Sequence, residues 1–251
     1  MTPTHGYYGG NRNHRSGSLE RVMPHFDVLI ATPGSTMEAQ YVKSLVPTLT
    51  ECDKRGISYK WLNNYSSLVH YARELTASGT EGRNLDPTQI SPGGKDITYN
   101  KIFWIDSDIS WTPEQFFRIY DSEYDVASGA YLLEDGMTTT VHAWGTPGGM
   151  PAFQLVNIRE PLKVQSIGFG FVAMKSGVFE RIQRPWFNLE YVKVGEDADG
   201  REVVDSVGED ISWCVKAYRA GIDLHYVPDV LVTHMKKQPI TWDHIRQMRG
   251  F

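Results

Sequence analysis

Residues 101–111, KIFWIDSDISW, restrict what this chain can fold into more than any other stretch. Ile102, Phe103, Trp104 and Ile105 form a continuous run of β-branched and aromatic residues, which reads as a strand buried on both faces of a parallel sheet. The run stops at Asp106-Ser107-Asp108. Open α/β sheets place ligands at the carboxyl ends of their strands, and two carboxylates there are hard oxygen ligands suited to Mg²⁺ or Mn²⁺ carrying a diphosphate. Thr112-Pro113-Glu114-Gln115 follows with a cap residue, a proline at the first helical position and a Gln three residues after the cap, so a helix starts there. The acidic pair is thus expected in a tight strand-to-helix turn. An Asp-x-Asp triplet also serves as ordinary turn chemistry, with one Asp capping the next helix and the other solvated. Its companions elsewhere in the chain have to decide between the two.

The 251 residues, 41% of them hydrophobic, suffice for one large domain with appendages but not for a second full domain. A net charge of -5 gives no nucleic-acid footprint. No apolar run reaches membrane-spanning length, and the opening MTPTHGYYGGNRNHRSGS lacks the apolar core of a signal peptide. The expectation is a cytoplasmic protein without membrane insertion. Cys52 and Cys214 stand far apart and read as buried thiols, a disulfide being the alternative.

Taken in order, residues 1–24 lack periodicity and read as a mobile arm, and residues 26–32, FDVLIAT, as the first buried strand, broken by Pro33-Gly34-Ser35. Neither G-x-G-x-x-G nor G-K-[ST] follows, which disfavours dinucleotide-binding and P-loop chemistry. Tyr41, Val42, Leu45, Leu49 and Cys52 recur at helical spacing over 38–53, with Gly56 just past the end and Pro47 predicting a kink or break. Residues 57–62 read as a strand closed by Asn63-Asn64, after which Ser66 or Ser67 caps a helix turning Leu68, Val69, Ala72 and Leu75 to the core. Arg73 near its middle is either solvated or a cation reaching the phosphates of a ligand.

Residues 80–96 read as a surface loop and 125–130 as a strand whose Gly129 lets something approach its backbone. Residues 131–165 suggest edge strands and a long loop, where a variable substrate pocket is expected. Residues 168–174 read as a glycine-punctuated strand, after which Ser176 caps a helix carrying Val178, Phe179 and Ile182. A hairpin is expected over 191–204 around Asp197-Ala198-Asp199-Gly200, which lacks the full spacing of a calcium loop. Gly208-Glu209-Asp210 opens a helix with Ile211, Cys214, Val215 and Tyr218 on one face; acidic residues there also serve as plain helix-end partners. Strands over 224–227 and 230–233, separated by Pro228-Asp229, deliver His234 and Lys236-Lys237 before a tail helix over 241–248 with Arg246 and Arg249.

In order, FDVLIATPG, SSLVHYARE, IFWIDSDISW, DVASGAYL, GFGFVAMKSGVFE and GEDISWCVKAYRAGIDLHYVPDVLVTHM resemble the metal-dependent GT-A glycosyltransferases, particularly the family 2-like enzymes and small ones encoded by bacteriophages. The resemblance implies a single α/β domain over 26–235 with a mostly parallel central sheet flanked by helices, between a flexible arm (1–25) and a tail (236–251). It implies a divalent-metal-dependent enzyme of the hexosyltransferase type in a bacterial or phage-infected cytoplasm. The donor would be a nucleoside-diphosphate sugar, UDP favoured and GDP possible, and the acceptor a glycan, protein, lipid or modified DNA. By position, Asp106, Asp108 and His234 would hold Mn²⁺ or Mg²⁺. Thr32, Pro33, Gly34, Arg73, Asp106, Ser107, Gly168 and Lys236 would bind the donor, and Asp210 or Glu209 would be the general base. His234 without the acidic triplet would read as a solvated strand-end histidine. The chain lacks the Q-x-x-R-W motif of processive synthases.

A haloacid-dehalogenase-type phosphohydrolase also places Asp-x-Asp at a strand end, but after its first core strand. A sugar-nucleotide pyrophosphorylase should carry a Gly-rich loop with Arg and Lys where this chain has TPGSTMEAQ. The non-enzymatic alternative is a nucleotide- or glycan-binding module.

Overall fold

Alternation along two strands builds the molecule in three layers. In the computed structural model, which describes residues 23–79, 91–144 and 148–237, β1 (His25–Ala31) and β3 (Thr98–Ile105) pair in parallel. Their Leu29, Ala31, Ile102 and Trp104 enter one core, and Val28, Ile30, Phe103 and Ile105 the other. Successive strand residues point to opposite faces, so the all-apolar run of β3 is the signature of a sheet covered on both sides. α2 (Val69–Ser78) and α5 (Glu209–Arg219) contribute Ala77, Trp213, Cys214 and Ala217 to the first core. α1 (Ala39–Arg55) and α3 (Pro113–Tyr120) contribute Tyr41, Cys52, Phe116, Phe117 and Ile119 to the second.

The sheet also contains β2 (Tyr59–Leu62), β5 (Val126–Ala130), β6 (Leu162–Val164), β7 (Phe171–Lys175) and β10 (Leu224–Leu231), in the order β2-β1-β3-β7-β5-β10-β6. β2, β1, β3, β5 and β10 share one direction; β7, at the centre, and β6, at the edge, oppose it. This is a single Rossmann-like α/β domain with a mostly parallel sheet, as the sequence implies, except that the glycine-punctuated strand beside β3 is reversed. The remaining elements are β4 (Ile109–Ser110), α4 (Ala152–Leu155), the hairpin of β8 (Tyr191–Glu196) and β9 (Glu202–Ser206), and β11 (Thr233–His234). Among the described residues no helix is long and apolar enough to cross a membrane. Both cysteines are buried and free.

Several local expectations are met. Thr112 and Gln115 form the reciprocal cap of α3, Gly56 ends α1 in the left-handed conformation, and Asp197 closes the β8–β9 turn by accepting from the Asp199 and Arg201 N–H groups. Gly129 lies where any Cβ would stand 2.7 Å from Val230.

Others are corrected. α1 runs unbroken through Pro47, which sits on its exposed side, where a missing N–H leaves no buried group unpaired. Its buried stripe is Tyr41, Ser44, Thr48 and Cys52, while Val42 faces solvent. Leu68 and Val69 are exposed rather than core, because α2 begins only at Val69 and buries its later turns. Val178, Phe179 and Ile182 are buried but on a short 3-10 turn, and α5 buries Trp213, Cys214 and Ala217 rather than Tyr218. Pro228-Asp229 bulges β10 without ending it: pairing with β5 resumes at Leu231. The stretches 1–22 and 238–251, with the tail helix, Arg246 and Arg249, lie outside the described residues, as does most of the loop over 80–96.

The glycines before β7 are packing requirements. A Cβ on Gly170 would stand 2.7 Å from the Tyr131 ring, and one on Gly168 2.5 Å from its hydroxyl. Gly170→Ala is therefore expected to destabilise the fold by about 1–3 kcal/mol in urea denaturation, the cost of overpacking a filled core. Gly195→Ala, with no neighbour in reach, should stay within about 0.5 kcal/mol of the parent.

Candidate active site

The carboxyl ends of β1, β2 and β3 are tied together by a few hydrogen bonds. Asn63, just after β2, donates from Nδ2 to the carbonyls of Thr32 (2.7 Å) and Gly34 (2.9 Å), and the Gly34 N–H donates to the Asn64 carbonyl at 3.0 Å. The Glu38 N–H donates to the Ser107 carbonyl at 3.0 Å, tying the start of α1 to the acidic turn. Thr32 itself is fully buried, its hydroxyl against that of Tyr41, whose phenol burial pushes up to about 12.

The acidic turn closes when the Ile109 N–H donates to the Asp106 carbonyl at 3.0 Å. The chain then forms β4, not the direct entry to a helix that the sequence suggests, and β4 pairs antiparallel with β11 so that His234 lies opposite Ile109. Ser44 and Thr48, the polar members of the α1 stripe, accept from the Trp111 backbone N–H (2.9 Å) and indole N–H (3.0 Å) and so anchor the far end of this ribbon. The ribbon carries His234 to Asp108: Nε2 stands 3.1 Å from Oδ2, and Nδ1 3.0 Å from the Leu132 carbonyl. Lys236 reaches the same Oδ2 at 3.4 Å.

A carbonyl only accepts, so Nδ1 must carry a hydrogen; a neutral imidazole would then aim a lone pair at the carboxylate. The arrangement requires a proton on Nε2 or another cation between the two groups. Burial is the largest influence and works against charge on both, yet the mutual hydrogen bond and attraction, with Lys236 acting on Asp108 and the Leu132 carbonyl on His234, together outweigh it: the Asp108 carboxyl is held below its ordinary range and His234 is raised. An imidazole donating its second N–H to a backbone carbonyl is also how metal-bound histidines are held. Ligands about 2.1 Å from an octahedral ion stand about 3 Å apart at adjacent vertices, which matches the Asp108–His234 spacing. The third expected ligand, Asp106, is engaged elsewhere. Among the described residues no three His, Cys, Asp or Glu side chains already converge on one point.

Asp106 faces Arg73, which is 4% exposed and so not a solvated helix residue. Its Nη1 and Nη2 meet the two Asp106 oxygens at 3.0 Å each, and its Nε donates to Glu209 at 3.0 Å. The guanidinium lies 5.4 Å from the Phe169 ring centre and 5.9 Å from that of Trp104. Asp210, next along α5, makes no ion pair with it and accepts from the Ile211 N–H at 2.8 Å. Burial, and then the charge of Glu209, push the Asp210 carboxyl up against the opposing pull of Arg73.

A cavity of about 410 Å³ gathers most of the expected site: Pro33, Gly34, Arg73, Asp106, Ser107, Asp108, Glu209, Asp210, His234 and Lys236 all line it. Thr32 stands behind it, and Gly168 is covered by the Tyr131 hydroxyl and Thr140. Tyr65, Ser66, Ser67, Val69, Ala72 and Tyr131 complete the wall. Of these, Tyr131 had a sequence signal: Gly168-Phe169-Gly170 leaves room for a large side chain, and the Gly170 N–H donates to the Tyr131 hydroxyl at 3.0 Å.

No protein-family model matches the chain, and no curated protein does. Among solved structures the chain is similar to A197 from STIV at 16% identity and a TM-score of 0.45, over 87% of this chain and 97% of that one. The functional reading therefore rests on the site itself.

Asp210 carries a pH signature. With its folded pKa above the ordinary aspartate value of about 3.9, the unfolded chain releases the proton first as pH rises. Stability is therefore lost between that value and the folded pKa, and the loss persists above it. Asp210→Asn keeps the oxygen that accepts from Ile211 and removes the charge. Urea denaturation should show the variant more stable than the parent at about pH 7, with the difference vanishing below about pH 4.

Proposed function

We propose that this chain is a metal-dependent glycosyltransferase, moving a sugar from a nucleoside-diphosphate sugar, UDP in preference to GDP, to an acceptor hydroxyl. The observation that carries the reading is the pairing of His234 Nε2 with Asp108 Oδ2 on the wall of a cavity that Asp210 also lines. That pairing is satisfied by a proton on Nε2 or by a metal cation, and the same cavity is lined by Asp210, a carboxylate whose proton affinity burial raises.

Asp108 and His234 would hold Mn²⁺ or Mg²⁺, with Asp106 on the same turn; such an ion supplies neutralisation of the charge that builds on a departing diphosphate. Lys236, already beside Asp108, adds positive charge at the same point. Pro33, Gly34 and Ser107 present a narrow backbone shelf to the nucleoside, and the exposed ring of Tyr65 offers it a flat apolar face. Asp210 takes the proton of the acceptor hydroxyl as that oxygen bonds to the anomeric carbon and the bond to the diphosphate breaks. Its raised pKa brings it toward the range in which a carboxylate is an effective base.

A second reading, a nucleotide-binding module without turnover, is favoured by the absence of three converged metal ligands among the described residues. Thermal shift separates the two from everything else. UDP or GDP with Mn²⁺ should raise the melting temperature by roughly 5–10 °C at about a hundredfold excess over Kd, and neither should do so without metal. Asp108→Ala should abolish the shift, whereas Asp210→Asn should preserve it and remove transfer. A metal-independent shift points to the binding module; no shift with either nucleotide removes the transferase reading.

A further inference from the structure

The resemblance leaves the base as Asp210 or Glu209 and assigns Arg73 to the donor's phosphates, but the contacts divide these residues more sharply. Arg73 has its three nitrogens directed at two carboxylates from separate elements, Asp106 at the end of β3 and Glu209 at the start of α5. Side-chain exposure is 4% for Arg73, 13% for Glu209 and 25% for Asp106, so the contacts are held largely away from water. Each carboxylate without the guanidinium would be a poorly compensated charge. Among the described residues no other side chain is hydrogen-bonded or ion-paired to both.

We propose that Arg73 is a positioning residue that clasps the metal-side turn to the helix bearing the base, so that Glu209 is committed to the clasp and Asp210 alone of the acidic pair is presented to the acceptor. The assignment rests on the transferase reading and deepens it. A lysine could not replace Arg73, because a point charge cannot set one nitrogen against each Asp106 oxygen while a third donates in a divergent direction to Glu209. Seating of the donor and placement of the base are then linked through one side chain, and a ligand that moves Asp106 moves α5 with it.

Two measurements test this, the first independent of any ligand. In the full chain with ¹⁵N-labelled arginine, one slowly exchanging Nε–H resonance should disappear in Arg73→Lys and shift in both Asp106→Asn and Glu209→Gln. A fast-exchanging Arg73 signal, or one insensitive to either carboxamide, overturns the clasp. The second follows Mn²⁺-dependent hydrolysis of UDP-glucose, with water as acceptor. Asp210→Asn should lose about 10²–10⁴-fold. Glu209→Gln, which keeps an oxygen for Arg73 Nε, should slow the reaction several-fold without moving its pH profile. Arg73→Ala should be slowed about 10²-fold and recover in part when guanidinium is added. Equal losses in Glu209→Gln and Asp210→Asn, or a displaced pH profile in Glu209→Gln, would reject the division between them. Should Arg73→Ala not fold, Glu209→Gln still decides the matter. A wild-type protein that hydrolyses nothing counts against the transferase, while the resonance still decides the clasp.

Discussion

A buried guanidinium must be paired, and in this molecule the pairing of Arg73 determines where three elements end. α2 turns Arg73 inward beneath the rings of Trp104 and Phe169; β3 stops where Asp106 meets its fork; α5 begins where Glu209 meets its Nε. Electrostatics in a dry site are strong, and removing one partner from such a junction leaves an uncompensated charge on the other, so the three elements are held to one another there. The two catalytic regions inferred for this chain, the metal-side turn and the proton acceptor, lie on opposite sides of that junction.

The second fixed point is the two-residue ribbon of β4 and β11. It is too short to be stable alone. Its anchors are Trp111, gripped by Ser44 and Thr48 of α1, and the Met235 N–H, which donates to the Asp108 carbonyl at 2.7 Å. Residues more than a hundred positions apart thus meet with their side chains on one cavity wall. The polar atoms on the buried side of α1 are explained by this task, since a purely apolar stripe would leave the Trp111 N–H groups unpaired.

Most of the layers were legible in the sequence because strand and helix periodicities report burial directly. The all-apolar β3, the cap at Thr112 and the turn residues of β8–β9 each follow from local chemistry. The direction of β7 was not legible: an apolar strand reads the same in either orientation, and only its pairing with Ile105 at Phe171 reveals it. The buried stripe of α1 was misjudged because hydrogen-bonded Ser and Thr count as polar in any periodicity. Nothing local to Arg73 shows that Glu209, 136 residues on, meets it, so the sequence alone leaves it a solvated or ligand-facing cation. The gathering of Asp108, Asp210 and His234 around one cavity was anticipated only through the ordered set of motifs; no single motif requires it.

The reversed central strand has a structural corollary. β5 leaves the sheet at the rim of the cavity, and β7, running the other way, re-enters it at the same rim, since Phe171 pairs with Ile105. The forty positions between them form an excursion that departs from and comes home to one doorway, lending β6 to the sheet's far margin on the way. Such an excursion can lengthen, shorten or change its side chains while the strands on either side keep their register, which makes it the natural place for a lineage of these chains to diverge in what it admits.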